Sequence, residues 1–292
     1  MAKSCLVIGC GYLGERVAAL WQAAGYRVSV VTRSAERAET LRASGYWPLI
    51  AEITQPQTLA NLPAADIVLF AVGHDRAAGL PIEQVYVDGL KNVLAALPCV
   101  PQRLIYISST GVYGQVDAEW VTEASACVPT RAGGRACLAA ESLLQASPIG
   151  PQAIILRLAG IYGPGRIPRV ADIRAGLPIA APAEGYVNLI HVDDAAQIVV
   201  AAAEQLSPPG LYIVSDGHPV QRADYYAELA RLVGAPPPTF TPPSAEAHVA
   251  QRAGSDKRVS SAKLFGDLPL KLQYPSYREG LAAIVQQADR EG

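Results

Sequence analysis

"SCLVIGCGYLGERVAALWQAAG" (residues 4–25) is the stretch that decides the fold. Its first six residues, "SCLVIG", form a short apolar run with β-branched members closed by glycine, the pattern of a buried strand. Beyond the glycines, Leu13, Val17, Leu20 and Trp21 recur at helical spacing, so a helix follows. Between strand and helix, Gly9, Gly11 and Gly14 make G-x-G-x-x-G. In that context each glycine has a task. Gly9 makes the tight turn, Gly11 lets backbone approach a pyrophosphate, and Gly14 lets the helix pack close to the sheet. The helix N-terminus, with its unpaired N–H groups and positive dipole end, would hold the phosphates. Gly9, Gly11, Tyr12, Leu13 and Gly14 are therefore the candidate cofactor contacts of this loop.

The alternation continues outward from there. Strands are expected at 26–32, 47–50, 66–72, 103–108 and 153–159, and helices at 34–44, 55–62, 82–97 and 135–147. Continuous apolar runs such as "DIVLFAV" and "AIILRLA" suit strands buried on both faces, hence a parallel sheet covered by helices. The expected fold class is α/β: a Rossmann-type doubly wound parallel sheet. After Gly163 the alternation loosens, with helical patterns at 193–206, 221–234 and 276–289 and a strand at 211–215. Residues 1–163 are expected to form the nucleotide-binding core. Residues 164–292 are mainly a smaller C-terminal α/β substrate lobe, part of which returns to the core. "APPPTFTPP" (235–243) reads as a stiff extended connector.

Composition excludes several classes. The net charge is -2 and basic residues do not cluster, so neither a nucleic-acid face nor a polybasic membrane anchor is expected. The five cysteines show no metal-ligand spacing and read as reduced thiols. No metal site, no membrane span and no signal peptide are expected, and the location is read as cytoplasmic. No G-x-S-x-G elbow supports a hydrolase.

The end of the second strand bears on the choice of dinucleotide. An NAD-preferring site puts Asp or Glu there for the ribose 2′-hydroxyl. This strand ends "VVTRS", with no carboxylate until Glu36. Arg33 would instead meet a 2′-phosphate, assisted by Thr32, Ser34 and Arg37. NADP is the expected cofactor, in preference to NAD.

Further motifs appear in a fixed order: "AEITQPQTLANLPAADIVLFAVG" (51–73), "VDGLKNVLAAL" (87–97), "YISSTGVYG" (106–114), "LRLAGIYGPGR" (156–166) and "IHVDDAA" (190–196). With the glycine loop they span about two thirds of the chain, and in them it resembles the extended short-chain dehydrogenase/reductases, which include NAD(P)-dependent epimerases and dehydratases. The resemblance implies a parallel sheet of about seven strands and a small-molecule substrate in a cleft between core and lobe. It puts Glu52 and Ile53 against the adenine, and Ala71, Val72 and Gly73 on the adenosine-ribose and pyrophosphate side. Ser109 stands where the family keeps a catalytic Ser or Thr. The helices at 82–97 and 132–147 correspond to those that pair in family homodimers.

Two departures stand out. The family's usual loop is G-x-x-G-x-x-G, whereas this one is G-x-G-x-x-G. The family's Tyr-x-x-x-Lys is also missing. Anchored on Leu138–Glu141, the string reads "GGRACLAAE", with Gly133 in place of tyrosine and Cys137 in place of lysine. No tyrosine lies between Tyr113 and Tyr162, so a shifted register does not restore the pair. Three readings follow. One is an enzyme with a rebuilt acid/base, drawing on Ser109, Tyr113, Arg131, Arg135, Tyr162 or His191. A second is a catalytically silent NADP(H)-binding redox sensor, and a third a scaffold without cofactor, which the intact glycine loop and Arg33 disfavour. Arg131 and Arg135 are either a carboxylate or phosphate clamp or solvated helix-start charges. His191 either faces substrate or belongs with Asp193 to the start of a helix. Cys137 is expected to be a buried, inert thiol.

Overall fold

The computed structural model describes residues 3–242 and 256–291. The chain runs β1 (Ser4–Ile8), α1 (Gly14–Ala23), β2 (Arg27–Thr32), α2 (Ala35–Ala43), β3 (Trp47–Ile50), β4 (Ile67–Phe70), α3 (Gly89–Ala96) and β5 (Arg103–Ser109). It continues through β6 (Glu119–Val121), α4 (Ala132–Ala146), β7 (Ala153–Leu158), β8 (Gly160–Tyr162), α5 (Val170–Arg174), β9 (Ile179–Ala180), β10 (Tyr186–Val187) and β11 (Leu189–His191). Then follow α6 (Val192–Gln205), β12 (Gly210–Val214), β13 (Val220–Gln221), α7 (Arg222–Leu232), β14 (Phe240–Thr241), β15 (Lys257–Val259), α8 (Ala262–Asp267) and α9 (Tyr277–Glu291).

Seven strands form the central sheet in the order β12-β7-β5-β4-β1-β2-β3. The pairs β1–β2, β1–β4, β2–β3 and β4–β5 are parallel. The order reverses between β1 and β4, which opens a crevice beyond their carboxyl ends, where α/β sheets bind ligands. The expected doubly wound sheet is present.

The chain forms two compact units. The first comprises the chain through Val112, Pro129–Arg157 and Ala196–Tyr212. Its core sets Leu6, Ile8, Val68, Phe70, Leu104, Tyr106 and Ile155 together, with Phe70 and Tyr106 stacked at 5.7 Å. The second comprises Tyr113–Val128, Leu158–Ala195 and the chain from Ile213 onward. It is built on Tyr162, Leu189, Tyr225, Leu229 and Leu281 and on short strand pairs: β8–β11, β6–β15, β9–β14 and β10–β13.

Three expected helices differ in detail. The 55–62 helix is a single 3-10 turn, Pro56–Leu59. Thr58 Oγ1 accepts from Glu52 N and donates toward the Glu52 and Gln55 carbonyls, which winds the segment too tightly for an α-helix. The 82–97 helix winds as a π segment over Gln84–Asp88 before α3. The helix expected from 135 starts earlier, at Ala132, because Gly134 lets it lie against Gly111: a Cβ at Gly134 would stand 2.1 Å from the Gly111 carbonyl oxygen. Of the proline-rich stretch, Phe240–Thr241 pairs as a strand with β9, and Pro243 lies outside the described residues.

Candidate functional site

The glycine loop sits at the β1/β4 switch point. Gly9 has φ +96°, and a Cβ there would lie 2.5 Å from the Ala71 carbonyl carbon and oxygen. A side chain is thus excluded by backbone conformation and by the neighbouring strand. A Cβ on Gly14 would lie 2.2 Å from the Gly9 carbonyl oxygen, so α1 can start this close to the sheet only with glycine. Gly11 differs: its Cβ would meet nothing within 4 Å. That open space in front of the helix is what a pyrophosphate needs. No side chain caps α1, whose N-cap residue is Leu13, so its first N–H groups are not taken up by a local carboxylate or hydroxyl. Tyr12 carries the Arg16 guanidinium over its ring at 4.5 Å, and Arg16 Nη1 donates to the Tyr12 carbonyl at 2.7 Å. The loop therefore fits a dinucleotide, with a positive charge pinned beside it.

At the end of β2, Thr32 Oγ1 accepts from Ser34 N, and Ser34 caps α2 by accepting from Arg37 N at 3.1 Å. Arg33 reaches Asp75: Nη2 stands 3.0 Å from Oδ2, while Nε is 3.7 Å from Glu52 Oε2. Arg37 is held by Glu15 at 2.5 Å. The Arg33 hydrogen bond, first among its causes, holds the Asp75 carboxyl below its ordinary range. The two guanidiniums expected to meet a 2′-phosphate thus already face three carboxylates.

Ile53 is buried; its carbonyl accepts from Asn92 Nδ2 at 2.8 Å, and its Cδ1 would be 2.6 Å from a Cβ on Gly89. Ala71 donates to the Ile8 carbonyl, and the half-buried Val72 precedes the exposed Gly73. His74, to which the sequence assigns no role, donates its backbone N–H to Tyr86 Oη at 3.2 Å, with its Nε2 2.8 Å from the Leu80 carbonyl oxygen.

Ser109 ends β5 with its Oγ accepting from Gly111 N at 3.0 Å, which leaves its hydroxyl hydrogen to donate. A Cβ built on Gly111 would lie 3.2 Å from Ser109 Oγ and 3.5 Å from Arg131 Nη2. Hydroxyl and guanidinium therefore flank the same glycine. Arg135 is exposed and turns its Nη1 back to the Thr130 carbonyl, 2.9 Å away. On α4, a Cβ at Gly133 would meet only Ile82 Cδ1, at 3.5 Å. Cys137 is buried, and burial, reinforced by Glu141, pushes its thiol up to about 12, so it is protonated at neutral pH. Below it lies a buried network. Ser108 Oγ donates to Glu141 Oε1 at 2.5 Å, and Arg157 donates to Glu141 through Nε and Nη2.

The remaining candidates belong to the second unit. Tyr113 and Tyr162 are buried, and burial pushes the Tyr162 phenol up. His191 is buried edge-on to Tyr162 at 5.3 Å and 3.9 Å from the Tyr274 ring centre. Its Nδ1 accepts from Asp193 N, so the histidine caps α6. The Asp194 carboxylate takes the backbone N–H groups of Gln273 and Tyr274, at 2.7 and 2.9 Å.

Sequence reading missed Asp75 and Tyr86. No local signal marks either: Asp75 meets Arg33 across 42 residues of chain, and Tyr86 meets His74 across 12. Among the described residues no helix is long and apolar enough to cross a membrane, and no cluster of His, Cys, Asp or Glu could hold a metal ion.

The fold is shared with known proteins. Residues 5–214 match the model of the NAD dependent epimerase/dehydratase family. Protein YeeZ of Escherichia coli (strain K12) is 27% identical over 281 residues, covering 94% of this chain and 97% of that protein. A 4-hydroxy-2-methyl-3-oxo-4-farnesyl-3,4-dihydroquinoline-1-oxide ketoreductase of Stigmatella aurantiaca is 28% identical over 77% of this chain and 72% of its own. Among solved structures, the UDP-glucose 4-epimerase of Thermotoga maritima with UDP-glucose superimposes with a TM-score of 0.83 over 99% of both chains at 19% identity, a likeness of fold.

Proposed function

On the premise that this chain belongs to the NAD-dependent epimerase/dehydratase family, we propose that it is an NADP(H)-dependent oxidoreductase of epimerase or dehydratase type. Its substrate is small and polar, sugar-like in class, and its acid/base chemistry does not use a tyrosine–lysine pair. The observation that carries the reading is the placement of Ser109 Oγ and Arg131 Nη2 against the same glycine, Gly111, in a chain whose glycine loop retains its full cradle.

A nicotinamide dinucleotide bound in that cradle supplies hydride transfer to or from a substrate carbon. The chain does the rest. Gly9 and Gly14 hold the tight turn and the close start of α1, Gly11 leaves room for the pyrophosphate to reach the loop's backbone N–H groups, and Arg33 would bind the 2′-phosphate. Ser109 donates a hydrogen bond to the reacting oxygen of the substrate. Arg131, always charged, stabilises negative charge developing on that oxygen or holds a substrate carboxylate or phosphate. Gly133 offers no side chain, and the Cys137 thiol is too poor an acid to act as the base.

The test is turnover of a panel of carbonyl compounds and nucleotide sugars by the purified protein with NADP(H), read both as product formed and as NADPH oxidised, because epimerase or dehydratase chemistry returns the cofactor to its starting state. Ser109→Ala and Arg131→Ala should each lower turnover at least about tenfold while leaving NADPH affinity within twofold. Unchanged turnover in both variants removes these residues from the chemistry. NADPH binding with no turnover across the panel selects the second reading, a redox sensor, which the protonated Cys137 and the bare Gly133 favour. Both readings take the protein to be cytoplasmic and homodimeric through the helical segments 82–97 and 132–147, and a monomer in analytical ultracentrifugation would remove the dimer.

A further inference from the structure

We propose that Asp75 is a built-in competitor for the cofactor's 2′-phosphate and sets how strongly this protein discriminates NADPH from NADH. The inference rests on the dinucleotide reading above and adds a specificity residue to it.

The sheet order explains the geometry. Arg33 leaves the carboxyl end of β2, and Asp75 follows β4; β1, with the glycine loop, lies between them in the sheet. The 3.0 Å bond from Arg33 Nη2 to Asp75 Oδ2 therefore runs from one side of the nucleotide loop to the other. Both side chains are about half exposed, at 54% and 46%, so the pair lies on the rim of the crevice. Asp75 is held for this task. Its Oδ1 accepts from Ala77 N at 3.0 Å, capping the turn Arg76–Ala78 and leaving Oδ2 aimed at the guanidinium. Glu52 adds a second carboxylate, 3.7 Å from Arg33 Nε.

A 2′-phosphate and the Asp75 carboxylate want the same thing: the planar fork of one guanidinium. To bind the phosphate, Arg33 must leave Asp75, and the phosphate must approach a fixed negative charge. NADH makes no such demand, because its 2′-hydroxyl does not require the Arg33 fork. Asp75 thus lowers affinity for NADPH selectively and brings the two cofactors closer together than the missing acid at the end of β2 alone would predict.

Asp75→Asn isolates the effect. The asparagine amide oxygen can keep the Ala77 cap, while the amide nitrogen cannot accept from Arg33. Titration of the full-length protein with NADPH and with NADH, followed by nucleotide fluorescence, reads the outcome. Asp75→Asn should tighten NADPH roughly three- to tenfold and leave NADH within about twofold, the range open to a well-placed surface ion pair plus relieved repulsion. In an Arg33→Ala background the same substitution should leave NADPH affinity within about twofold. Equal tightening of both cofactors would mean that the pair is a general lid, and equal tightening in the Arg33→Ala background would mean diffuse repulsion; either overturns the proposal, as does an unchanged ratio. A wild-type protein that binds neither cofactor overturns the dinucleotide reading itself, which separates that failure from failure of the Asp75 role.

Discussion

Arg157 on β7 grips Glu141 on α4 through two nitrogens, Nη2 at 2.6 Å and Nε at 3.0 Å, with both side chains buried. Removing one member leaves the other charge without its partner in a low-dielectric setting, at a loss of about 3–5 kcal/mol. Glu141→Leu should therefore unfold at a clearly lower urea midpoint, and adding Arg157→Leu should recover part of the loss. A Glu141→Leu midpoint equal to wild type would show that the pair contributes nothing to stability.

Gly11 and Gly14 should separate binding from folding. Gly11→Ala places a methyl group in open space, so its Tm should stay within about 1–2 °C of wild type while dinucleotide affinity falls at least about tenfold. Gly14→Ala forces a contact with the Gly9 carbonyl and should lose about 1–3 kcal/mol of stability as well. Calorimetry beside nucleotide titration distinguishes the two, and matching losses in both variants would refute the division of labour.

Arg33→Asp should turn preference from NADPH toward NADH, since it exchanges a phosphate partner for a carboxylate able to take a 2′-hydroxyl. Loss of the charge-assisted bond alone predicts a fall of about tenfold or more in NADPH affinity. Competition titrations with both cofactors check it; an unmoved ratio places the 2′-phosphate elsewhere.

Asp216 gives a pH prediction. Its carboxyl is buried, Oδ1 accepts from His218 N, and Oδ2 makes no hydrogen bond among the described residues. Burial raises its pKa from 3.8 to about 7. A folded pKa above the unfolded one means that the contribution is full below pH about 4 and is lost as pH rises toward 7. Asp216→Asn does not ionise, so its Tm advantage over wild type should widen across that interval and then level off. Thermal melts at pH 4.5, 6 and 8 measure it, and a constant difference would show that Asp216 does not titrate there.

Much of this was legible in the sequence because it is local. Continuous apolar runs marked the strands, and three glycines marked the switch-point loop. What escaped was set by contacts between distant segments. The early start of α4 depends on Gly134 meeting Gly111. The 3-10 turn at Pro56–Leu59 depends on one threonine hydroxyl bridging back to Glu52. Arg33 could be picked out by its place after β2, but nothing near it announced that Asp75 would hold it. A lone arginine in a string carries no mark of its neighbours across the sheet.

The strand order also sets a timetable for synthesis. Six of the seven sheet strands have been made by Leu158, but β12, which covers the outer edge of β7, begins only at Gly210. Segments of the other unit are translated in the interval. At about 5–20 residues per second, the nascent chain carries an uncovered β7, "AIILRL", for several seconds. During those seconds this largely apolar edge is open to any passing strand, and chaperone occupancy on the ribosome should be greatest then.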